Sequence, residues 1–357
     1  MKTGLHSVGM YLPPVIRKND WWSDDLIQSW QAKPPPAMRK PPEGEPPPTP
    51  GMVKALGAMA ALAKDPFKGA LERRVMAEGM VTSDMEAEAA KDAIARAGIA
   101  ADQIDLILTN SQLPDYLSVP GAPEVHRKAG LRRSCLAITT DNACNSFLAQ
   151  LTLAEAMIAS GQARYALLVQ SSGGQHLCRR EHQHSAWFGD AATAVVVGPV
   201  AEGKGVLGRA NRTDGDFYRA LVTGTPGTRW HQGGQPVVYI EDPKMAWRML
   251  ATIPDMGKEV LDAAMAEAGV DATAIQFFGS HQGTSWFRRV AQEHCGLTNA
   301  KFVDTFGWTG SLAAANIPFC LGVGEREGLL RSGDLVAMYS GGSGITYSGA
   351  VLRWGRD

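Results

Sequence analysis

The sequence predicts an α/β protein made of two similar halves, and three observations carry that reading: an internal repeat, strand and helix alternation within each copy, and a composition suited to a large core. Hydrophobic residues make up 45% of the 357 and charged residues 20%, the balance of a globular chain with a sizeable interior. A chain of this length holds two or three units or one duplicated unit.

Self-similarity at long separation decides between these. Ala97-Gly98-Ile99-Ala100-Ala101-Asp102-Gln103-Ile104-Asp105-Leu106-Ile107 is echoed by Ala268-Gly269-Val270-Asp271-Ala272-Thr273-Ala274-Ile275-Gln276-Phe277-Phe278. Each reads as a helix ended by Ala-Gly, a short turn and a buried strand. An Ala/Met-rich amphipathic helix precedes each, and the first is expected to open with a capping box, Ser83-x-x-Glu86.

The echo continues downstream. A helix over 151–159 ends in Ser160-Gly161 before a strand over 166–169 and then Ser171-Ser172-Gly173-Gly174. Its counterpart is a helix over 322–330, Ser332-Gly333, a strand over 335–338 and Ser340-Gly341-Gly342-Ser343-Gly344. The halves are residues 1–205 and 206–357, and their alternation predicts mixed or mostly parallel sheets covered by helices.

Outside the repeat, nine of the 21 prolines lie between Pro34 and Pro50, a density that forbids helix and central strand. It reads as an extended surface insertion at about 30–65, followed by a short helix over 51–64.

A net charge of −1 gives no field that would draw nucleic acid or an anionic membrane. No apolar run reaches 18 residues, and MKTGLHSVGMYLPP lacks a signal-type hydrophobic segment, so a cytoplasmic protein is expected. Five cysteines, at 135, 144, 178, 295 and 320, are odd in number and without CxxC spacing, which leaves a nucleophilic thiol as the useful question.

Cys144 is the candidate. A strand over 136–140 runs into Thr140-Asp141-Asn142-Ala143-Cys144-Asn145-Ser146 and then an apolar helix that must be buried. Asp141 and Asn142 are natural caps, which places Cys144 in the first helical turn. Unpaired N–H groups and the positive end of the helix dipole there favour thiolate over thiol.

His281 follows a strand over 275–278, at the end matching the Asn110 region of the first half, and ligands collect at the carboxyl ends of strands in such sheets. Gly341-Gly342-Ser343-Gly344 permits a tight reversal and can also bring backbone N–H groups to a reacting carbonyl.

With these residues in view, the sequence resembles the ketoacyl-ACP synthase III group of thiolase-fold enzymes. The matching pieces are Val8-Gly9-Met10-Tyr11-Leu12-Pro13, Asp141-Asn142-Ala143-Cys144, Phe188-Gly189-Asp190-Ala191-Ala192-Thr193-Ala194, Ser280-His281-Gln282 and Gly342-Ser343-Gly344-Ile345-Thr346-Tyr347-Ser348-Gly349-Ala350. The resemblance implies a five-layered αβαβα subunit, paired as a homodimer, that needs no cofactor and takes acyl-CoA or acyl carrier protein as partner. It makes Cys144 the nucleophile, His281 its partner base or hydrogen-bond donor, and the N–H groups of Cys144 and Ser343 an oxyanion hole. Arg73, Arg74, Val119 and Phe188 become candidates for substrate binding, with Arg179 and Arg180 as further cations for CoA phosphates or an acidic carrier-protein helix.

One departure stands out. The family expects Gly-Asn ahead of a small-residue run ending in proline, where this chain has Gly310-Ser311-Leu312-Ala313-Ala314-Ala315-Asn316-Ile317-Pro318. Counting back from Pro318 puts Ser311 in the asparagine's place, and losing one such donor costs on the order of 10² to 10³ in rate. The departure bears on decarboxylation and not on forming the Cys144 thioester, so the expected activity is acyl transfer through Cys144 in specialised metabolism, with a carbon acceptor because condensation is the commoner chemistry of the resembling group. The alternatives are transfer to oxygen or nitrogen, a non-catalytic partner subunit, and thioester hydrolysis. His176, Cys178, His182 and His184 look like a metal cluster, but the resemblance puts them in a loop before Phe188, and no metal is expected.

Overall fold

The computed structural model describes residues 2–31 and 47–357; residues 34–46 of the proline-rich stretch lie outside the described residues. The chain begins with β1 (Thr3–Tyr11), β2 (Val15–Lys18), α1 (Asp24–Gln31), α2 (Pro50–Ala61) and β3 (Glu72–Val75), with β2 and β3 paired as an antiparallel ribbon. Then come α3 (Thr82–Ala97), β4 (Leu106–Ser111), α4 (Ala122–Lys128), β5 (Leu136–Thr139), α5 (Ser146–Ala159), β6 (Ala166–Gly173), α6 (Gly174–Leu177) and β7 (Asp190–Pro199). The remainder is β8 (Gly205–Thr213), a small ribbon of β9 (Val222–Gly224) and β10 (Val237–Tyr239), α7 (Pro243–Ala268), β11 (Phe277–Ser280), α8 (Phe287–His294), α9 (Phe306–Thr309), α10 (Asn316–Arg326), β12 (Leu335–Gly342) and β13 (Thr346–Arg353).

Two mixed sheets organise these elements, in the orders β1-β7-β6-β4-β5 and β11-β12-β13-β8. β4 runs parallel to β5 and β6, and β11 parallel to β12, while the other pairings are antiparallel. Strand side chains alternate between faces, and here each face meets a different helix. Leu106, Leu108, Leu168 and Val195 point inward to Phe147 and Leu151 of α5 and Ile317 and Leu321 of α10, where Phe277, Val336 and Met338 of the second sheet join them. Ile107, Leu167, Val169 and Val196 point outward to Met85, Ala89 and Ala93 of α3. On the far side, Ala337, Tyr339 and Val351 meet Val260, Leu261 and Ala264 of α7.

The order is thus α3, first sheet, α5 with α10, second sheet, α7: the five-layered αβαβα thiolase fold. Strands covered on both faces must be apolar on both, which is why β6 is buried at all eight positions.

The Ala-Gly echo has a geometric cause. Gly98 and Gly269 end α3 and α7 at φ +66° in each case, the left-handed C-terminal position that glycine occupies without a Cβ clash. The capping box sits elsewhere than expected. Asp84 accepts the Val81 N–H at 3.0 Å, whereas the N–H and hydroxyl of Ser83 go to Asp115. Glu86 is buried, accepting the hydroxyls of Ser111 and of Ser171 (2.6 Å). A neighbouring strand end outcompetes the local helix start for both side chains.

Candidate active site

The middle-layer helices α5 and α10 begin in the same way. Ala143–Asn145 and Ala313–Ala315 form single 3₁₀ turns directly ahead of them. Ala143 and Ala313 take φ of +45° and +49°, left-handed values that are unusual away from glycine and recur at sites where backbone geometry is functional. The Asn145 N–H bonds Asn142 O at 3.0 Å, and the Ala315 N–H bonds Leu312 O at 2.9 Å. Asp141 Oδ1 accepts the Ala143 N–H at 2.9 Å, as Ser311 Oγ accepts the Ala313 N–H at 3.5 Å. The two turns pack against each other, and Cys144 holds the place in its turn that Ala314 holds in the other.

Cys144 therefore lies in the 3₁₀ turn ahead of α5 rather than in the first turn of the helix. It is half-buried, and burial pushes its thiol up to about 12, with the Asp141 carboxylate adding to the rise. In the resting protein, desolvation of the charge works against the thiolate that the helix-end field favours.

His281 follows β11, and its N–H donates to Tyr339 O at 3.0 Å. The ring meets Phe287 edge-on at 6.0 Å. Burial holds the imidazole down at about 4, against smaller opposing contributions from the Ala313 backbone and the Asn316 side chain, so it is neutral at physiological pH.

Tyr339 is followed on β12 by Ser340, whose hydroxyl donates to Cys144 O at 2.8 Å. Consecutive residues of one strand thus hold the His281 and Cys144 backbones. Gly342, two residues on, packs so closely that a Cβ there would stand 2.3 Å from Asn142 O. The glycine-rich segment is split accordingly: Gly341 and Gly342 end β12, and Ser343, Gly344 and Ile345 form the turn to β13. Asn145 Nδ2 donates to Ser348 Oγ at 2.8 Å, fastening the same turn to β13.

Ser311 is buried, with its N–H on Trp187 O at 2.7 Å and its carbonyl accepting the Gly189 N–H at 3.1 Å. The pairing brings half-buried Phe188 to the same place. Gln282, next to His281, is committed to structure: its carboxamide donates to Val303 O at 2.7 Å and accepts the Thr305 N–H at 2.9 Å.

Arg73 does not fit its expected place. Its guanidinium is fully buried, donating to Asn19 Oδ1 at 2.8 Å and Ala186 O at 2.7 Å above the Trp22 ring. Burial lowers its pKa to about 10. A cation enclosed in this way is a strut between β3 and the 186–189 segment, out of reach of a phosphate. Arg74 donates to Pro13 O at 3.3 Å, and Val119 is 58% exposed on the loop after β4. Arg180 lies over the Trp21 ring, as does Arg17. The His182 and His184 rings meet tilted at 59° with centroids 4.4 Å apart, and among the described residues no group of three or more His, Cys, Asp or Glu is placed to hold a metal.

Reading the motifs alone missed Ser340 and Asn316. The repeat carried the signal for Asn316, since it occupies the place of Ser146 when the two turns are aligned.

Family models for the C-terminal part of 3-oxoacyl-[acyl-carrier-protein] synthase III and for 3-oxoacyl-[acyl-carrier-protein] synthase III match residues 265–354 and 139–215. The beta-ketoacyl-[acyl-carrier-protein] synthase III of Neisseria meningitidis serogroup C is 30% identical over 286 residues, covering 79% of this chain and 87% of the relative. That of Syntrophomonas wolfei is 30% identical over 299 residues, 81% and 88% of the two chains. Among solved structures, the Thermus thermophilus synthase III superposes with a TM-score of 0.78 at 24% identity over 99% of this chain and 100% of that one. Xanthomonas campestris OleA gives 0.77 at 18% identity over 99% of each, and both show the fold. The chain belongs to the beta-ketoacyl-[acyl-carrier-protein] synthase III family of the thiolase superfamily, a family of acyl-transferring condensing enzymes.

Proposed function

We propose that the protein condenses an acyl group, carried as a thioester on Cys144, with a malonyl-type carbon nucleophile. The observation that supports this most is that consecutive residues of β12, Tyr339 and Ser340, bind the backbones of His281 and Cys144 in turn, so one strand end holds the main chain of both residues.

In the first half-reaction the Cys144 sulfur attacks the carbonyl of an acyl-CoA or acyl-carrier-protein thioester. The proton leaving Cys144 ends on the departing thiol, so charge is balanced and no resting thiolate is needed. The N–H groups of Cys144 and Ser343 are the oxyanion donors. In the second, the malonyl thioester loses CO₂ and its carbanion attacks the acyl carbonyl; Cys144 leaves as thiolate and takes a proton from solvent. Neutral His281 donates from Nε2 to the thioester oxygen that becomes enolate, and the Ser311 hydroxyl is the second donor.

Ser311 favours one other reading. Its oxygen already accepts the Ala313 N–H, and a hydroxyl is shorter than the carboxamide the family resemblance expects. That favours an acceptor which needs no decarboxylation, an alcohol or amine giving an ester or amide. Labelled malonyl thioester separates the two. CO₂ release that depends on prior acylation supports condensation; an ester or amide product with the label retained supports transfer to oxygen or nitrogen.

A second copy of the chain is the proposed partner at β5. This edge strand leaves Leu136 and Ile138 exposed, and the nearby loop exposes Tyr116 and Leu117. Unpaired edges with apolar side chains call for cover, and light scattering at a dimer mass tests it. Place in metabolism is proposed as specialised, on the strength of Ser311.

A further inference from the structure

The first sheet is covered on both faces, and strands so placed are expected to be apolar on both. Gln170 of β6 and Thr193 of β7 break that rule, and both are fully buried. Gln150 meets them from α5, fully buried as well. Buried carboxamides without partners are costly, and here the partners form one line. The Thr193 hydroxyl donates to Gln170 Oε1 at 3.0 Å, Gln170 Nε2 to Gln150 Oε1 at 2.6 Å, and Gln150 Nε2 to Thr140 Oγ1 at 3.0 Å. Thr140 Oγ1 in turn donates to Thr109 O at 3.3 Å.

The line ends where the nucleophile turn begins. Thr140 is the first residue after β5, with its N–H on Thr109 O at 2.8 Å and its carbonyl accepting Asn110 Nδ2 at 3.2 Å. The same Nδ2 reaches Asp141 Oδ1 at 3.3 Å, the atom that holds the Ala143 N–H. Thr140 is thus fixed at N–H, carbonyl and hydroxyl, immediately before the turn in which left-handed Ala143 leads to Cys144.

The second half meets the same need with another carboxamide. When the two turns are aligned, Cys320 of α10 stands where Gln150 stands in α5, and its Sγ receives Gln282 Nε2 at 3.2 Å. Gln282 also binds Val303, Thr305 and Phe306, on the stretch between Lys301, which pairs with Phe277, and the Ser311 turn. In each half a buried carboxamide ties down the chain between sheet and left-handed turn. Replacing such partners together by apolar groups of the same shape can cost little stability, so what the line adds is a single geometry.

We propose that Gln150 is a positioning residue for Cys144: locked by Gln170, its carboxamide fixes Thr140 and with it the path by which the chain enters the nucleophile turn. Gln150 touches no reacting atom; it acts through the main chain, where a small misplacement of the sulfur is enough to slow attack. The proposal rests on the reading of Cys144 as the residue that is acylated.

Cysteine labelled with nitrogen-15 gives five backbone amide signals in this chain, and Cys144→Ala identifies the one of interest. Gln150→Leu is expected to move the Cys144 signal and to leave that of Cys295, in the second half, in place. It is also expected to slow single-turnover acylation at saturating acyl-CoA about three- to tenfold, with the half-saturating concentration unchanged. Lost stability by itself does not separate positioning from core structure, because this variant strands Gln170 Nε2 without its acceptor. Combining Gln150→Leu with Gln170→Leu and Thr193→Val removes the stranded groups, so the melting temperature is expected to return toward the wild-type value while acylation stays slow. Thr140→Val deletes the receiving hydroxyl at a half-buried position and is expected to give the same signal shift and the same slowing, which keeps the test open should the core variants not fold. Acylation that recovers along with stability in the triple variant, or a Cys144 signal unmoved by Gln150→Leu and Thr140→Val, overturns the proposal. The amide signals need no substrate, so a chain that accepts no acyl group counts against the proposed reaction, while the spectra still decide the role of Gln150.

Discussion

Ser340 donates its hydroxyl to the carbonyl oxygen of Cys144 at 2.8 Å, one residue beyond the carbonyl that receives the His281 N–H. A strand of the second half thereby holds the main chain that carries a thiol of the first. Ser340→Ala takes this donor from a half-buried carbonyl, a loss of about 1 kcal/mol. The expected result is a lower melting temperature together with slower acylation of Cys144, read by thermal unfolding and by single-turnover mass spectrometry.

Gly342 makes a sharper test of the same join. A Cβ there stands 2.3 Å from Asn142 O and 3.2 Å from Asn145 N, so Gly342→Ala must displace the turn that carries Cys144. Overpacking of this kind costs about 1–3 kcal/mol. Acylation is expected to fall at least tenfold, by about the amount that 1.4 kcal/mol represents, while far-ultraviolet circular dichroism stays that of a folded protein.

The resting thiol makes alkylation of Cys144 by iodoacetamide depend on pH. With its pKa pushed up to about 12 by burial, the thiolate fraction rises about tenfold per unit throughout pH 7–9. Peptide mapping should show a Cys144 rate that climbs without a plateau; a plateau below pH 8 would mean a thiolate stabilised as the helix-end argument first suggested.

Glu86 provides a stability test away from the site. Burial raises its pKa to about 7, against the Ser111 and Ser171 hydroxyls that lower it. A carboxyl whose pKa is higher folded than unfolded binds more protons in the native state between those values, so stability falls as pH rises from 4.5 through 7. Glu86→Gln removes the cost of ionisation, which is about 3 kcal/mol well above pH 7. The melting-temperature gain of the variant should therefore be larger at pH 8.5 than at pH 5.

The fold was legible because its repeat is written in the residues that geometry constrains most. Gly98 and Gly269 end their helices at φ +66°, where glycine is strongly favoured, and doubly covered strands must be apolar. The nucleophile turn was legible through Asp141 and Asn142, but the protonation state of Cys144 was not, since burial depends on what packs across the turn. Arg73 looked like a surface cation because nothing local reveals that Asn19, Ala186 and Trp22 enclose it. Ser83 and Glu86 have the spacing of a capping box, and only the fold brings Asp115, Ser111 and Ser171 to them.

The central claim is that Cys144 carries the acyl group. Intact-protein mass spectrometry after mixing with a series of acyl-CoAs tests it most directly. The wild type should gain the mass of one acyl group per chain, removable by hydroxylamine, and Cys144→Ala should gain none. An acyl mass that persists in Cys144→Ala, or a wild-type chain that accepts no acyl group from any CoA or carrier-protein thioester, would contradict it.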